Sequence, residues 1–308
     1  MNEEAQSEES SGQGFIEQYS GGLYALGAFM LWGLFPVYFK LVDSLGSMEI
    51  LAHRIVWAVV LLTSIITILR FWPRVLSVLH NRKILFPLIA SAILVSINWG
   101  VFIWAVNNDH ILQASLGYYI NPLVNVLLGV LFLKERLDLI QWVAVALVVL
   151  AVSYMVTGLG VVPWASLIVA FSFGTYGLIR KIVNVDAFTG LFIETILVVP
   201  IAAGYLILLA REGTGKFGID GFGFDLLIIL SGIMTVVSLV FFTQATKRLN
   251  LSTVGFFQYI TPTTQFLLAI FIYGEVFTIH HMITFALIWT GLALFTYNSF
   301  RTMNKAKP

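Results

Sequence analysis

The feature that most constrains this chain is an internal repeat. Tyr119-Ile120-Asn121-Pro122 returns as Tyr259-Ile260-Thr261-Pro262, 140 residues later. At the same offset Leu127-Leu128 meets Leu267-Leu268, and Glu135 meets Glu275. Upstream, at an offset of 141, Gly33 meets Gly174 and Lys40 meets Lys181. Two copies of a membrane unit, each with an odd number of spans, sit upside down relative to each other.

Composition makes the membrane setting plain. The chain is 59% hydrophobic and only 11% charged, with a mean hydropathy of +0.92. A soluble fold has no interior large enough for that much apolar surface. Apolar runs of about 20 residues, enough for a hydrocarbon core of roughly 30 Å, follow one another with short connections. They must be helices, because hydrocarbon offers backbone groups no partner; the alternating strands of a barrel are absent. The sequence therefore predicts an all-α integral membrane protein. Its ten transmembrane helices fall near 20–41, 48–70, 84–106, 111–134, 138–157, 163–181, 188–210, 223–245, 251–274 and 278–300. Residues 1–17 are acidic, small and polar and read as a disordered tail. Residues 18–158 form the first five-helix repeat, 159–301 the second, and 302–308 a short C-terminal tail. The first apolar segment lacks the flanks of a cleaved signal and reads as a retained span.

Orientation follows from the loop cations. With the N-terminus in the cytoplasm, thirteen Lys and Arg residues lie on the inner side and three (Lys40, Arg211, Lys216) on the outer. Both termini are therefore expected in the cytoplasm. The count also tests the inversion: Lys40 ends span one outside, while its mate Lys181 ends span six inside.

Spans four and nine each carry a mid-span proline. Pro122 and Pro262 lack an N–H, so the carbonyls of Tyr118 and Gln258 lose their helical donors. Helix breaks at matching places in two halves point to a midplane binding site; a structural kink relieved by neighbouring helices is the alternative. Tyr118, Asn121 and Asn125 share one helix face, and Gln258, Thr261 and Gln265 repeat the pattern in span nine. Such stripes face the bundle interior, either lining a solute cavity or bonding one helix to another. Asn98 in span three aligns with Ser238 in span eight and gives another polar pair. Trp32, Trp99, Trp104, Tyr118, Tyr176 and Tyr259 are candidates for an aromatic wall around an organic solute, with ordinary packing as the alternative. Trp72, Trp142 and Trp164, near span ends, fit the interfacial belt.

Ionisable side chains within spans are costly, and each is a functional candidate by default. His53 and Arg54 lie in span two and Glu194 in span seven, with His53 and Glu194 matched at the offset of 141. His53 and Glu194 are candidate proton carriers. Arg54 is a candidate anchor for an anionic group on the solute. Pairing with a neighbouring helix is the alternative for all three. Glu135 and Glu275, at the C-terminal ends of their spans, sit at the wrong end of the helix dipole for an acid. They read as structural, capping the next helix or pairing with a neighbouring cation.

Other chemistries find no support. Cysteine is absent, and no P-loop, HExxH or GxSxG pattern occurs. No catalytic residue, metal site or cofactor is expected, and basic stretches are too short for nucleic acid. An inverted repeat with polar stripes at matched depths predicts a secondary carrier for a small organic solute, with the lipid bilayer as its other partner. The competing readings are a non-transporting assembly or regulatory protein, and a channel. The oligomeric state, monomer or dimer, is open.

The ten-span pattern, the Tyr-Ile-x-Pro signals and the terminal glutamates resemble the drug/metabolite transporter superfamily. LWGLFPVYFK, EILAHRIVW, INWGVFIWAVN and ASLGYYINPLVNVLLGVLFLKERL are similar to its EamA-type permeases, in particular the RarD branch, often labelled chloramphenicol-sensitive permeases. The resemblance covers about residues 20–300. It implies two intertwined five-helix halves around a central cavity, and secondary transport across a bacterial cytoplasmic membrane. It does not imply chloramphenicol as the solute.

Overall fold

A computed structural model describes residues 2–134, 137–160, 162–249, 254 and 257–305. Among these residues every regular element is helical, as hydrocarbon requires. In chain order the helices are α1 (Asn2–Leu41), α2 (Ser47–Ile68), α3 (Trp72–His80), α4 (Arg82–Asn107), α5 (Ile111–Leu133), α6 (Leu139–Leu159), α7 (Trp164–Ile182), α8 (Ala187–Glu212), α9 (Phe222–Arg248), α10 (Ile260–Leu267) and α11 (Ile279–Lys305). A π-helical turn, Leu268–Ile272, extends α10. Among the described residues nine helices contain an apolar stretch long enough to cross a bilayer, and Ile260–Ile272 forms a shorter apolar helix. The upstream part of the expected ninth span lies largely outside the described residues, as does Glu135.

The membrane-length part of α1 is Ser20–Leu41. The acidic segment before it, expected as a disordered tail, continues the same helix from Asn2. The connection after span two holds a helix that the span reading passed over. This is α3, whose Val75 and Val78 are buried while Trp72, Leu76 and Leu79 are exposed. At nine residues it rises only about 14 Å and is too short to span.

Short connections are closed by conventional caps. Asp138 and Gln141 make a reciprocal capping box at α6, Asn81 caps α4, and Asp186 accepts from the Thr189 N–H at α8. Gly160 and Gly213, both at φ 67°, end α6 and α8 in the left-handed conformation that glycine adopts without strain.

The chain folds into two compact units that cut across the sequence repeat. The first comprises residues 1–76 and 186–264, the second residues 77–185 and 265–308. Within the first, α1 packs on α9, and α2 on both α8 and α9. Within the second, α4 and α5 pack on α7, and α6 packs on α11. Each unit thus draws helices from both halves of the sequence.

Candidate functional site

The second unit holds a connected polar group around span four. On α5, Asn121 is fully buried, and its Nδ2 donates to the Ala170 carbonyl of α7 at 3.0 Å. One turn on, Asn125 Nδ2 donates to Asn121 Oδ1 at 3.1 Å. Asn98 on α4 donates to the Val169 carbonyl at 3.0 Å and to Ser172 Oγ at 3.2 Å. Tyr118 O–H donates to Asn98 Oδ1 at 3.4 Å. The stripe predicted from spacing does face protein, and much of it is spent joining helices. Asn125 remains exposed and Tyr118 half-buried. The Tyr118 ring meets Phe102 at 5.7 Å and Phe173 at 6.1 Å, and Phe173 continues to Tyr176 at 5.8 Å.

The first unit repeats these relationships with different side chains. Thr261, 6% exposed, donates its hydroxyl to the Phe29 carbonyl of α1 at 2.9 Å. Asn121 and Thr261 are mates at offset 140, and their acceptors Phe29 and Ala170 are mates at offset 141. The repeated glycines mark the same crossing. A Cβ on Gly33 would lie 2.7 Å from the Thr264 Cβ, and one on Gly174 would lie 2.8 Å from Val124 Cγ1. Thr264 and Val124 are again mates at offset 140. Glycine is required at both places because the helices touch there, backbone against side chain. Trp32 and Phe242 lie 5.6 Å apart; their mates at offsets 141 and 140, Phe173 and Phe102, both meet the Tyr118 ring. Phe102, Phe173 and Phe242 were not singled out from sequence; the offset that exposed the prolines would have found them. Gln258, the mate of Tyr118, is half-buried in the first unit, and Gln265, at the start of the second unit's C-terminal part, is buried.

The two prolines are not equivalent. Helix α5 runs unbroken through Pro122. Near Pro262 the backbone leaves the helix at Tyr259 and restarts at Ile260. Pro262 therefore falls in the first turn of α10, where a missing N–H costs little.

All the charged candidates of spans two and seven belong to the first unit. Arg54, 3% exposed, donates from Nε to Thr235 Oγ1 of α9 at 2.8 Å. Its guanidinium lies 5.0 Å from the Phe35 ring centroid and 5.9 Å from that of Phe39, a cation–π setting that helps hold a charge away from water. Glu194 on α8 is 1% exposed. His53 is buried, with its ring 5.3 Å from Phe217.

Trp104, near the end of α4, stacks on His110 at 5.3 Å and meets Trp164 at 4.5 Å. Glu275 caps a helix, though not the next one. Its two carboxylate oxygens accept from the Ile111 and Leu112 N–H groups of α5, at 2.6 and 2.9 Å. Among the described residues no group of three or more His, Cys, Asp or Glu is placed to hold a metal ion.

Comparison with known proteins agrees with this architecture. The sequence profile of the EamA-like transporter family matches twice, over residues 19–157 and 161–297. An uncharacterized transporter of Vibrio cholerae is 47% identical over 287 residues, covering 93% of this chain and 95% of that protein. Protein RarD of Salmonella typhi is 46% identical over 285 residues, covering 92% and 97%. A solved crystal structure superposes with a TM-score of 0.56 at 19% identity, over 90% of this chain and 97% of the other, a likeness of fold. The chain is a multi-pass membrane protein, and it belongs to the EamA-like transporter family, among its RarD-like permeases.

Proposed function

We propose that this chain is a secondary active transporter that exports a small organic solute across a bacterial cytoplasmic membrane by alternating access, coupled to protons. Ten spans in two inverted five-helix repeats would supply the two exchanging conformations. Both termini lie in the cytoplasm on this reading, supported by the thirteen-to-three cation bias. The observation that carries it is the pair of matched ties, Asn121 to Ala170 and Thr261 to Phe29. The same helix crossing is built twice, at positions related by the repeat. A non-transporting scaffold has no need of that equivalence.

The ties leave the partly accessible aromatic and amide groups beside them for the solute. In the second unit these are Tyr118, Asn125, Phe173 and Tyr176; in the first, Trp32, Phe242 and Gln258. Aromatic faces with a few amide and hydroxyl groups suit an organic molecule of mixed polarity. Asn98, Asn121, Thr261 and Gln265 position these groups, and Trp104 is set aside. Arg54 and Glu194, buried in one unit, are the charged centre, with Glu194 as the proton carrier.

A thermal-shift screen across amino acids, other metabolites and antibiotics tests the reading, since a ligand stabilises its carrier by mass action. Any hit should bind more weakly to Tyr118→Ala and Gln258→Ala; normal binding by both variants removes the site. Glu194→Gln should flatten the pH dependence of transport while leaving binding intact. An unchanged profile removes Glu194 from coupling.

A further inference from the structure

The connection between α8 and α9 is more than a link. Three residues of α2, Glu49, His53 and Trp57, recur at i, i+4 and i+8 and so form one stripe on its surface. Consecutive residues of the connection dock on that stripe. The Lys216 N–H donates to Glu49 Oε1 at 3.1 Å, and Glu49 is itself buried. The Phe217 ring lies 5.3 Å from His53 and 5.7 Å from Trp57. On the other side the Gly218 N–H donates to Asp225 Oδ1, in the first turn of α9, at 2.7 Å. Lys216 Nζ and Asp220 Oδ2, 3.7 Å apart, close the segment on itself.

Between the same two helices, α2 and α9, the first unit buries polar side chains. Ser231, Thr235 and Ser238 recur at i, i+4 and i+7 on α9 and are all buried. Thr235 receives Arg54, the residue next to His53. Ser231 sits between that contact and Asp225, where the strap is tied. The strap also has the hinges to move. Gly213, Gly218 and Gly221 hold φ of 67°, 80° and 98°, and a Cβ at any of them would meet nothing within 4 Å. The start of the segment stays tied to α8, where the Gly213, Thr214 and Gly215 N–H groups donate to the Ala210 and Leu209 carbonyls and a Cβ on Gly215 would lie 3.3 Å from the Leu209 Cβ; beyond it, Phe217 and the N–H bonds of Lys216 and Gly218 hold the segment to α2 and α9. One donor under the plug is spare: the Trp57 Nε1–H is buried with no acceptor among the described residues. An acceptor oxygen on an entering solute, carbonyl or carboxylate, would satisfy it.

We propose that residues 213–221 form a gate over the polar core of the first unit, with Phe217 as the plug, Glu49, His53 and Trp57 as its seat, and the Trp57 N–H as the donor it shelters. The gate rests on the transport reading for its purpose, and its test needs no solute.

The chain has no cysteine, so a single Ser231→Cys reports access to the core. In proteoliposomes this parent should react slowly with a membrane-impermeant methanethiosulfonate. Adding Phe217→Ala should speed labelling about tenfold, the population shift expected when two aromatic contacts are lost. Glu49→Ala, which removes the backbone tie and spares the ring, should also speed it. Phe217→Trp should restore the slow rate. Thermal unfolding of each variant checks that the helices remain assembled. A parental labelling rate in Phe217→Ala overturns the gate whatever the transport assay reports. Solute flux that fails in a chain with a working gate counts against the transport reading alone.

Discussion

Glu275 is the side chain whose removal the structure prices most directly. It follows the π-helical turn in sequence, yet serves the N-terminus of α5, 164 residues earlier in the chain. Both amides it receives belong to buried residues, Ile111 and Leu112. In Glu275→Ala those N–H groups lose their acceptor inside protein. An orphaned buried donor costs about 1–3 kcal/mol, and an N-cap about 0.5–2 kcal/mol. The lost charge at the positive end of a helix adds roughly 0.3–1 kcal/mol. These overlap, because they describe one contact, and the expected loss is about 2–4 kcal/mol. Glu275→Gln keeps an acceptor oxygen and loses the charge, so about 1–2 kcal/mol should go. Thermal or dodecyl sulfate unfolding of purified protein, with the variants compared at equal detergent, measures both. A parental midpoint for Glu275→Ala refutes the cap. A Gln variant as damaged as the Ala variant shows that the carboxylate's charge, not hydrogen bonding, is what matters.

Other expectations follow from the matched crossings and the buried arginine. Gly33→Ala and Gly174→Ala each force a methyl into a neighbouring helix and should cost about 1–3 kcal/mol by the same unfolding assay; a neutral result at either glycine removes the close contact there. Asn121→Asp, which deletes the donor to the Ala170 carbonyl and buries a carboxyl, should destabilise more than Asn121→Ala, for which about 1–2 kcal/mol is expected. The reverse order would mean that the amide does not donate. Arg54→Lys loses the directional Nε bond and the planar stack on Phe35. Its unfolding cost and that of Thr235→Val should be less than additive in the double variant; additivity would mean that the two side chains do not act together.

Part of this site could be read from residue order alone. Asn121 and Thr261 sat on apolar helices at a shared offset, and lipid cannot tolerate a polar stripe, so their burial followed. The acceptors could not be read, because a backbone carbonyl carries no mark in sequence. Glu275 shows the same limit: its dipole argument excluded its own helix as the partner but did not name α5. The Phe217 strap looked like an ordinary glycine-rich link, since its docking stripe lies on a helix more than 150 residues away.

What residue order by itself determined was the setting and the rhythm: helices of bilayer length, paired by a fixed offset, with polar groups turned from lipid. Hydrocarbon leaves a polypeptide so few options that composition and periodicity decide this much. Which helices embrace was decided only in three dimensions. Apolar faces are interchangeable as written, and only close packing, backbone approach at Gly33 and Gly174, and hydrogen bonds between distant turns selected the cross-drawn units over two self-contained halves.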